Sequence, residues 1–277
     1  MRLLKIEYRV MAHEVEKTGT EGVGGKDIAV TAAQVVREST LRTAPNGVQY
    51  AAFGKAEISD VELERLVQTV PAVIALALKK KSYYFVPLAL TESRGGNAHN
   101  TSAEDALIAA DFTAELGDQA ICHRDVDFEG RECVFISTRL MNDRFALAFE
   151  FFINVGHAFL DVVGAPASFA ELVWTQASAD VRGETSQDAW ESRNLAKATE
   201  GRSVDEKAKN NFIESALADG IAVYMLSLFL DFDYSELRER EYPLLAPQAL
   251  AARLRHVAEL FPPNAGYEFA VRYRRRA

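Results

Sequence analysis

Apolar residues dominate residues 144–164 more completely than any other stretch of the chain. On a helix, which turns by about 100° per residue, the polar side chains of this stretch fall into one stripe roughly 60° wide. Gly164 followed by Pro166 is typical of a helix end. The pattern predicts a mostly buried helix with a narrow polar stripe, made of Glu150, Asn154, His157 and Asp161.

Two interpretations of the polar stripe stay open. In the first, the helix shows one edge to solvent, which is common for core helices. In the second, a cluster of carboxylate, amide and imidazole groups lines an internal site. Such a cluster can bind a divalent metal through His157 with Glu150 or Asp161.

A second long helix is predicted over residues 203–230, opened by a capping box of Ser203 and Glu206. Its first half is polar and its second half is apolar nearly all round, apart from Asp219. An acid in such surroundings is either paired or has a raised pKa, and it can also accept hydrogen bonds from a neighbouring loop. We expect the two long helices to pack together, which would bring His157 within reach of Glu214 or Asp219.

The rest of the chain predicts an α+β fold. Its predominantly helical core lies around residues 139–163 and 203–230, with a small, mostly antiparallel sheet. Alternating or apolar runs predict strands at 3–11, 48–53, 83–90 and 269–273, the last able to pair with the first, and a hairpin at 119–138 that turns near 128–130. Shorter helices are predicted at 27–38, 59–70, 71–81, 102–116, 168–176, 186–199 and 249–260.

Residues 93–100 form a polar, glycine-containing loop and are the best candidate for an internal boundary. We therefore divide the chain into an N-terminal α/β region, residues 1–100, and a helical region, residues 101–277. The alternative is one continuous domain.

Composition narrows the function classes. The chain has 277 residues and a net charge of −9, which argues against a general nucleic-acid binder. With only two cysteines, Cys122 and Cys133, we expect a cytoplasmic protein. The charged and imidazole groups within residues 144–164 argue against a membrane span. No organic cofactor is predicted, because the glycine loop at 18–26 has Thr20 where a P-loop needs glycine.

Two segments carry a family resemblance. Residues 134–138, VFIST, lead into residues 144–150, RFALAFE, and residues 218–226 read ADGIAVYML. They resemble the ImmA/IrrE-type zinc metallopeptidases, which are HExxH zincins. In that family a short strand leads into a helix that begins roughly RF-x-LAHE-x-GH, and a later helix carries a glutamate ligand before an Ala-Asp or Ala-Asn pair.

The zinc-binding motif is degenerate in this chain. In one register Glu150 holds the position of the general base, but Phe149 and Ile153 replace the two metal histidines. A second register keeps the glycine and the second histidine, as Gly156 and His157. The position of the third ligand falls on Ser215, beside Glu214. The resemblance implies a zincin-like domain without standard zinc hydrolysis, which needs three protein ligands and an activated water.

Three functions follow from these patterns. The first is a degenerate metallopeptidase-like protein that retains a binding cleft. The second is a non-enzymatic interaction or assembly subunit that binds a protein partner or forms a homo-oligomer. The third is a metal-dependent enzyme of another type. The candidate catalytic residues are Glu150, His157 and Asp219, and the candidate ligands of a divalent metal are His157, Glu150, Asp161 and Glu214.

Overall fold

The computed structural model describes residues 29–91, 102–141, 143–197, 203–232 and 242–271. The predicted strand at 3–11, the glycine loop at 18–26 and the loop at 93–100 lie outside these ranges, and so does the end of the predicted last strand. Within the ranges the protein has an α+β fold, as the sequence predicts.

The strands form two sheets. In chain order the strands are β1 Ala29–Thr31, β2 Arg42–Thr43, β3 Gln49–Ala52, β4 Lys81–Val86, β5 Leu88–Leu90, β6 Leu107–Ala109, β7 Ala120–Ile121, β8 His123–Phe128 and β9 Arg131–Ser137. A five-stranded sheet has the order β2-β3-β4-β9-β8, and a four-stranded sheet has the order β1-β6-β5-β7. Pairing is antiparallel except at the centre of the larger sheet, where β3, β4 and β9 are parallel.

Helices cover the larger sheet and pack on one another. In chain order they are α1 Ala32–Glu38, α2 Asp60–Gln68, α3 Ala72–Ala77, α4 Ala114–Gly117, α5 Arg144–Val163, α6 Ala167–Ser178, α7 Gln187–Ala196, α8 Glu206–Phe229 and α9 Pro247–Leu260. The largest hydrophobic cluster joins α5 and α8 to one face of β4 and β9. A smaller cluster joins the opposite face of this sheet to α1 and the smaller sheet.

The first long helix has the predicted bounds. The Asp143 side chain accepts a hydrogen bond from the Ala146 amide at the start of α5, and Gly164 ends the helix with φ of 74°. A left-handed residue at that position favours glycine. The second long helix, α8, begins later than predicted, because Asp205 rather than Ser203 is its N-cap.

The two long helices pack together, as predicted. They approach so closely at Gly156 that a Cβ atom there would lie 2.7 Å from the Ala218 carbonyl oxygen. Glycine at this position therefore sets the distance between α5 and α8.

The predicted hairpin is confirmed as β8 and β9. Glu129 and Gly130 form its two-residue turn, with φ of 50° and 79°. Positive φ at both turn residues is the type I′ geometry, whose twist matches that of the flanking strands. This hairpin places β8 at one end of the larger sheet.

The apolar run predicted as one strand at 83–90 is two strands in different sheets. Pro87, which has no amide hydrogen to donate, separates β4 from β5. The buried Ser137 hydroxyl joins the two sheets where they diverge. It accepts a hydrogen bond from the Ala89 amide at 2.7 Å and donates one to the Ile121 carbonyl at 2.6 Å.

Three local predictions are wrong. Residues 102–116 are not one helix but a turn, strand β6 and the four-residue α4, because β6 pairs with β1 on one side and β5 on the other. The helix predicted at 27–38 begins only at Ala32, since residues 29–31 form β1 and Thr31 is the N-cap. Residues 269–271 are not in a strand.

Both sheets combine strands from before and after residue 100, for example β4 with β9 and β1 with β6. The division of the chain at residue 100 and the single-domain alternative both stay predictions. By length and composition alone α5 and α8 are able to span a membrane. In the fold, however, 56% and 78% of their apolar windows are buried. Core helices of soluble proteins pass the same length and composition test.

Candidate functional site

The polar stripe of α5 divides into two parts. The Glu150 side chain is only 12% exposed, and Asn154 is half-buried beside it. His157 and Asp161 are exposed, as is Glu214 on α8. Among the residues with described positions, no three His, Cys, Asp or Glu side chains are arranged to hold a metal ion. The metal set of His157, Glu150, Asp161 and Glu214 is thus not assembled here, and metal binding stays a prediction.

Glu150 instead meets a residue that the sequence did not single out. His123, the first residue of β8, places its Nδ1 atom 2.6 Å from Glu150 Oε1. Because a carboxylate only accepts hydrogen bonds, Nδ1 carries the hydrogen. The Asn154 side-chain amide donates to the same carboxylate oxygen at 3.2 Å. The pair ties the outermost strand of the sheet to α5.

The alternation of side chains along the predicted hairpin was the one sequence signal that could have placed His123 on the face of the sheet that meets α5. His123, Asp125 and Asp127 alternate along β8, so their side chains point to one face of the sheet. They pair directly with Ile136, Val134 and Glu132 of β9. Val134 and Ile136 belong to the cluster beneath α5, so this is the α5-facing side. The sequence predicted the hairpin but not that its edge faces Glu150.

The His123–Glu150 pair stabilises the fold by an amount that depends on pH. Burial lowers the pKa of His123, but the hydrogen bond and negative charge of Glu150 outweigh it, and the pKa is raised. Because the pKa of His123 is higher in the folded than in the unfolded state, the protonated imidazole stabilises the folded protein. This stabilisation is fully present below the pKa of the unfolded state, about 6.5, and is lost as the pH rises through the pKa of the folded state.

We therefore expect the stability difference between wild type and His123→Gln to shrink between pH 6 and pH 9. NMR titration of His123 should give a pKa that falls in Glu150→Gln, because the charge that favours imidazolium is removed. An unchanged His123 pKa in that variant would contradict the pairing. Asp161→Asn, an exposed carboxylate on the same helix, is the control.

Cys122 lies next to His123, and its thiol is mostly protonated at neutral pH. Burial, with the nearby charge of Glu150, raises the pKa of its thiol to about 11. The thiolate is the reactive form of cysteine, and the raised pKa lowers its fraction at neutral pH.

Asp219, the other predicted catalytic residue, lies beside the crossing of α5 and α8. It is 6% exposed, and its carboxylate accepts a hydrogen bond from the Thr185 hydroxyl at 2.7 Å. Burial raises the pKa of Asp219, while hydrogen bonds from Ser186 and Thr185 and the charge of His157 oppose the rise. Hydroxyl groups of the loop before α7 thus supply hydrogen bonds to the Asp219 carboxylate. His157 influences the pKa of Asp219 through its charge and not through a hydrogen bond.

A buried ionic cluster next to Asp219 was not predicted from the sequence. Glu184 is fully buried and contacts two buried arginines, Arg193 of α7 and Arg253 of α9. Arg193 Nη1 lies 3.0 Å from Glu184 Oε1, and Arg253 Nη1 lies 2.8 Å from Oε2. Arg193 also donates to the carbonyls of Val181 and Gly183. These contacts hold α7 and α9 around the loop that positions Thr185.

A wide depression lies on the exposed face of α7, and none of the predicted site residues lines it. It is lined by Gln187, Trp190, Glu191, Asn194, Leu195 and Tyr242. The polar groups that surround Glu150 are not part of this depression.

No protein-family model matches the chain, and no curated protein or solved structure matches it either. The resemblance to the ImmA/IrrE-type metallopeptidases therefore stays a prediction, and so does the cytoplasmic location.

Proposed function

We propose that this protein is a non-catalytic binding protein that takes up an extended protein segment along the outer edge of β8, beside α5. Strand addition to an open sheet edge is a common mode of peptide recognition. This proposal shares the loss of peptidase activity with the first function predicted from the sequence, a degenerate metallopeptidase-like protein that retains a binding cleft, but places binding at a sheet edge.

The observation that carries the proposal is the His123–Glu150 pair. The family resemblance gives Glu150 the position of a general base, and a general base must be free to take a proton from water or substrate. Here its carboxylate is held by His123 and Asn154. The nearest thiol, that of Cys122, is protonated at neutral pH. Glu150 is thus not free to act as the general base that the resemblance assigns to it.

The backbone of β8 suits strand addition. The Ser137 amide donates to the Cys122 carbonyl at 2.9 Å, which makes these two residues a hydrogen-bonded pair. In an antiparallel pair such positions alternate with positions whose backbone groups point away from the partner strand. The N–H and C=O groups of His123, Asp125 and Asp127 therefore point outward, where no described strand pairs with β8.

Proline at Asp125 is expected to weaken peptide binding. The change removes one outward amide donor at the centre of the edge, while the amides that pair β8 with β9 remain. Peptides of ten uncharged residues, selected from a library for binding to wild type, should bind Asp125→Pro at least about tenfold more weakly. Asp125→Asn, which keeps the amide hydrogen, should bind them like wild type.

Circular dichroism and thermal melting will show that Asp125→Pro remains folded. Three results would overturn the proposal. One is failure to select any peptide, and another is selected peptides that bind Asp125→Pro unchanged. The third is stoichiometric zinc together with hydrolysis of the selected peptides.

A further inference from the structure

Exposed apolar side chains gather at one end of the molecule, away from the edge of β8. In the described part of the chain seven large apolar residues are exposed, and four of them lie on α3 and on the last turn of α5. These four are between 54% and 71% exposed: Val73, Leu76, Val162 and Val163. A single exposed apolar residue is ordinary, but a group on neighbouring elements marks an interaction surface.

The two elements that carry the group lie side by side. Helix α3 packs against α5, and a short loop after α9 connects their ends. The Phe159 ring near the end of α5 contacts the Phe261 ring, with centroids 5.1 Å apart. The Asn264 side chain accepts a hydrogen bond from the Ala72 amide at the start of α3, at 2.9 Å. The four apolar side chains therefore belong to one end of the fold.

Positive charge borders the apolar group. Lys79 and Lys80 follow α3 directly and are exposed, as is Arg131 at the start of β9. The Glu132 amide donates a hydrogen bond to the Lys80 carbonyl at 3.2 Å, so Arg131 lies beside the lysines. Lys81 neutralises Glu132, with Nζ 3.0 Å from Oε2, whereas the other three cations form no ion pair with any described residue.

The exposed acids of this region are set apart from the lysines. Asp161 belongs to the polar stripe of α5, turned by about 100° from Val162. Asp127 lies on β8, and β9 separates that strand from β4, so Arg131 stands between Asp127 and the lysines. A protein with a net charge of −9 thus presents a basic border beside its exposed apolar group.

We propose that this end of the protein binds the surface of an anionic lipid membrane, without any segment crossing the bilayer. The apolar side chains enter the headgroup region, and the cations contact the lipid headgroups. Either contribution alone binds weakly, and the two together give stable attachment. A two-fold contact through this end would bring the cations of two copies together, so charge favours a membrane over a second copy.

Vesicle pelleting with the full chain tests the charge requirement. The probes are vesicles of phosphatidylcholine and vesicles that also contain about 30% phosphatidylserine. At about 0.15 M salt the protein should bind the anionic vesicles at least about tenfold more strongly. Lys79→Gln/Lys80→Gln should lose most of this preference. The matched control, Lys55→Gln/Lys207→Gln, removes the same charge from exposed lysines elsewhere and should keep it.

A second pair of variants tests the apolar requirement. Leu76→Ser/Val163→Ser should weaken binding to the anionic vesicles at least about fivefold, because less apolar surface enters the headgroup region. Its Tm should stay close to that of wild type, since both side chains are exposed. Val61→Ser/Leu195→Ser, which changes two exposed apolar residues on α2 and α7, should bind like wild type.

Three results would overturn the inference: absence of binding to the anionic vesicles, equal binding to both kinds of vesicle, and an equal loss of binding in either control. A fourth concerns the second copy. A dimer detected by light scattering that Leu76→Ser/Val163→Ser converts to a monomer, without vesicle binding by wild type, would assign this surface to self-association instead.

Discussion

Replacing Glu184 with glutamine is expected to lower the free energy of unfolding by about 3–5 kcal/mol, because two buried guanidinium groups lose the carboxylate that pairs with both of them. Arg193 and Arg253 are 2% and 0% exposed, and both contact this carboxylate. Glutamine keeps the shape and one acceptor oxygen, so the loss measures the uncompensated charge rather than a cavity. Denaturant unfolding of the purified variant measures the effect, and Tm should fall by roughly 6–15 °C.

Asp180→Asn provides the matched control. Asp180 lies four residues before Glu184 and pairs with Lys197, but its side chain is 83% exposed. Exposed pairs contribute little, so this variant should change stability by less than about 1 kcal/mol. Similar small effects of the two substitutions would contradict a structural role for the buried cluster.

Alanine at Gly156 and alanine at Gly220 are expected to have opposite effects on stability. Both glycines lie inside long helices, where alanine alone is favoured by roughly 1 kcal/mol. At Gly156 the new Cβ would meet the Ala218 carbonyl oxygen at 2.7 Å and force α5 and α8 apart. We expect Gly156→Ala to destabilise the protein by about 1–3 kcal/mol in net terms.

At Gly220 the nearest atom to a new Cβ is 3.6 Å away, an ordinary van der Waals distance. Gly220→Ala should therefore stabilise the protein by about 0.5–1 kcal/mol. Equilibrium denaturation of both variants under the same conditions tests the pair. A stabilising Gly156→Ala would show that the helices are not in close contact there.

The long helices were predictable because their signals are local. The apolar pattern of α5, its cap at Asp143 and its end at Gly164 all lie within one segment of the chain. The start of α8 was missed by a few residues because Ser203 and Asp205 both suit an N-cap, and the sequence does not say which side chain reaches the free amide.

The site was only partly predictable, because its partners come from distant parts of the chain. Glu150 was found from the polar stripe, but His123 lies 27 residues earlier on another element. The helical spacing of polar residues shows which face of α5 is polar. It does not show which strand packs against that face. Strand β6 was likewise missed because it is defined by its pairing with β1 and β5, and that pairing overrides the local preference for helix.

The buried cluster shows the same limit. The two arginines lie far from the shared carboxylate in sequence: Arg193 follows Glu184 by 9 residues and Arg253 by 69. Charged residues at such positions are usually exposed, so no local pattern marks them as buried. Their contact depends on how α7 and α9 pack around the same loop, which no local pattern states.

Binding of an extended segment to the outer edge of β8 should change amide hydrogen exchange along that strand. Residue-resolved exchange measured by NMR, with and without a library-selected peptide, detects the change. We expect the outward amides of His123, Asp125 and Asp127 to gain protection on binding, while the amides of α7 and α9 do not change. Protection confined to α7, with unchanged exchange along β8, would contradict it.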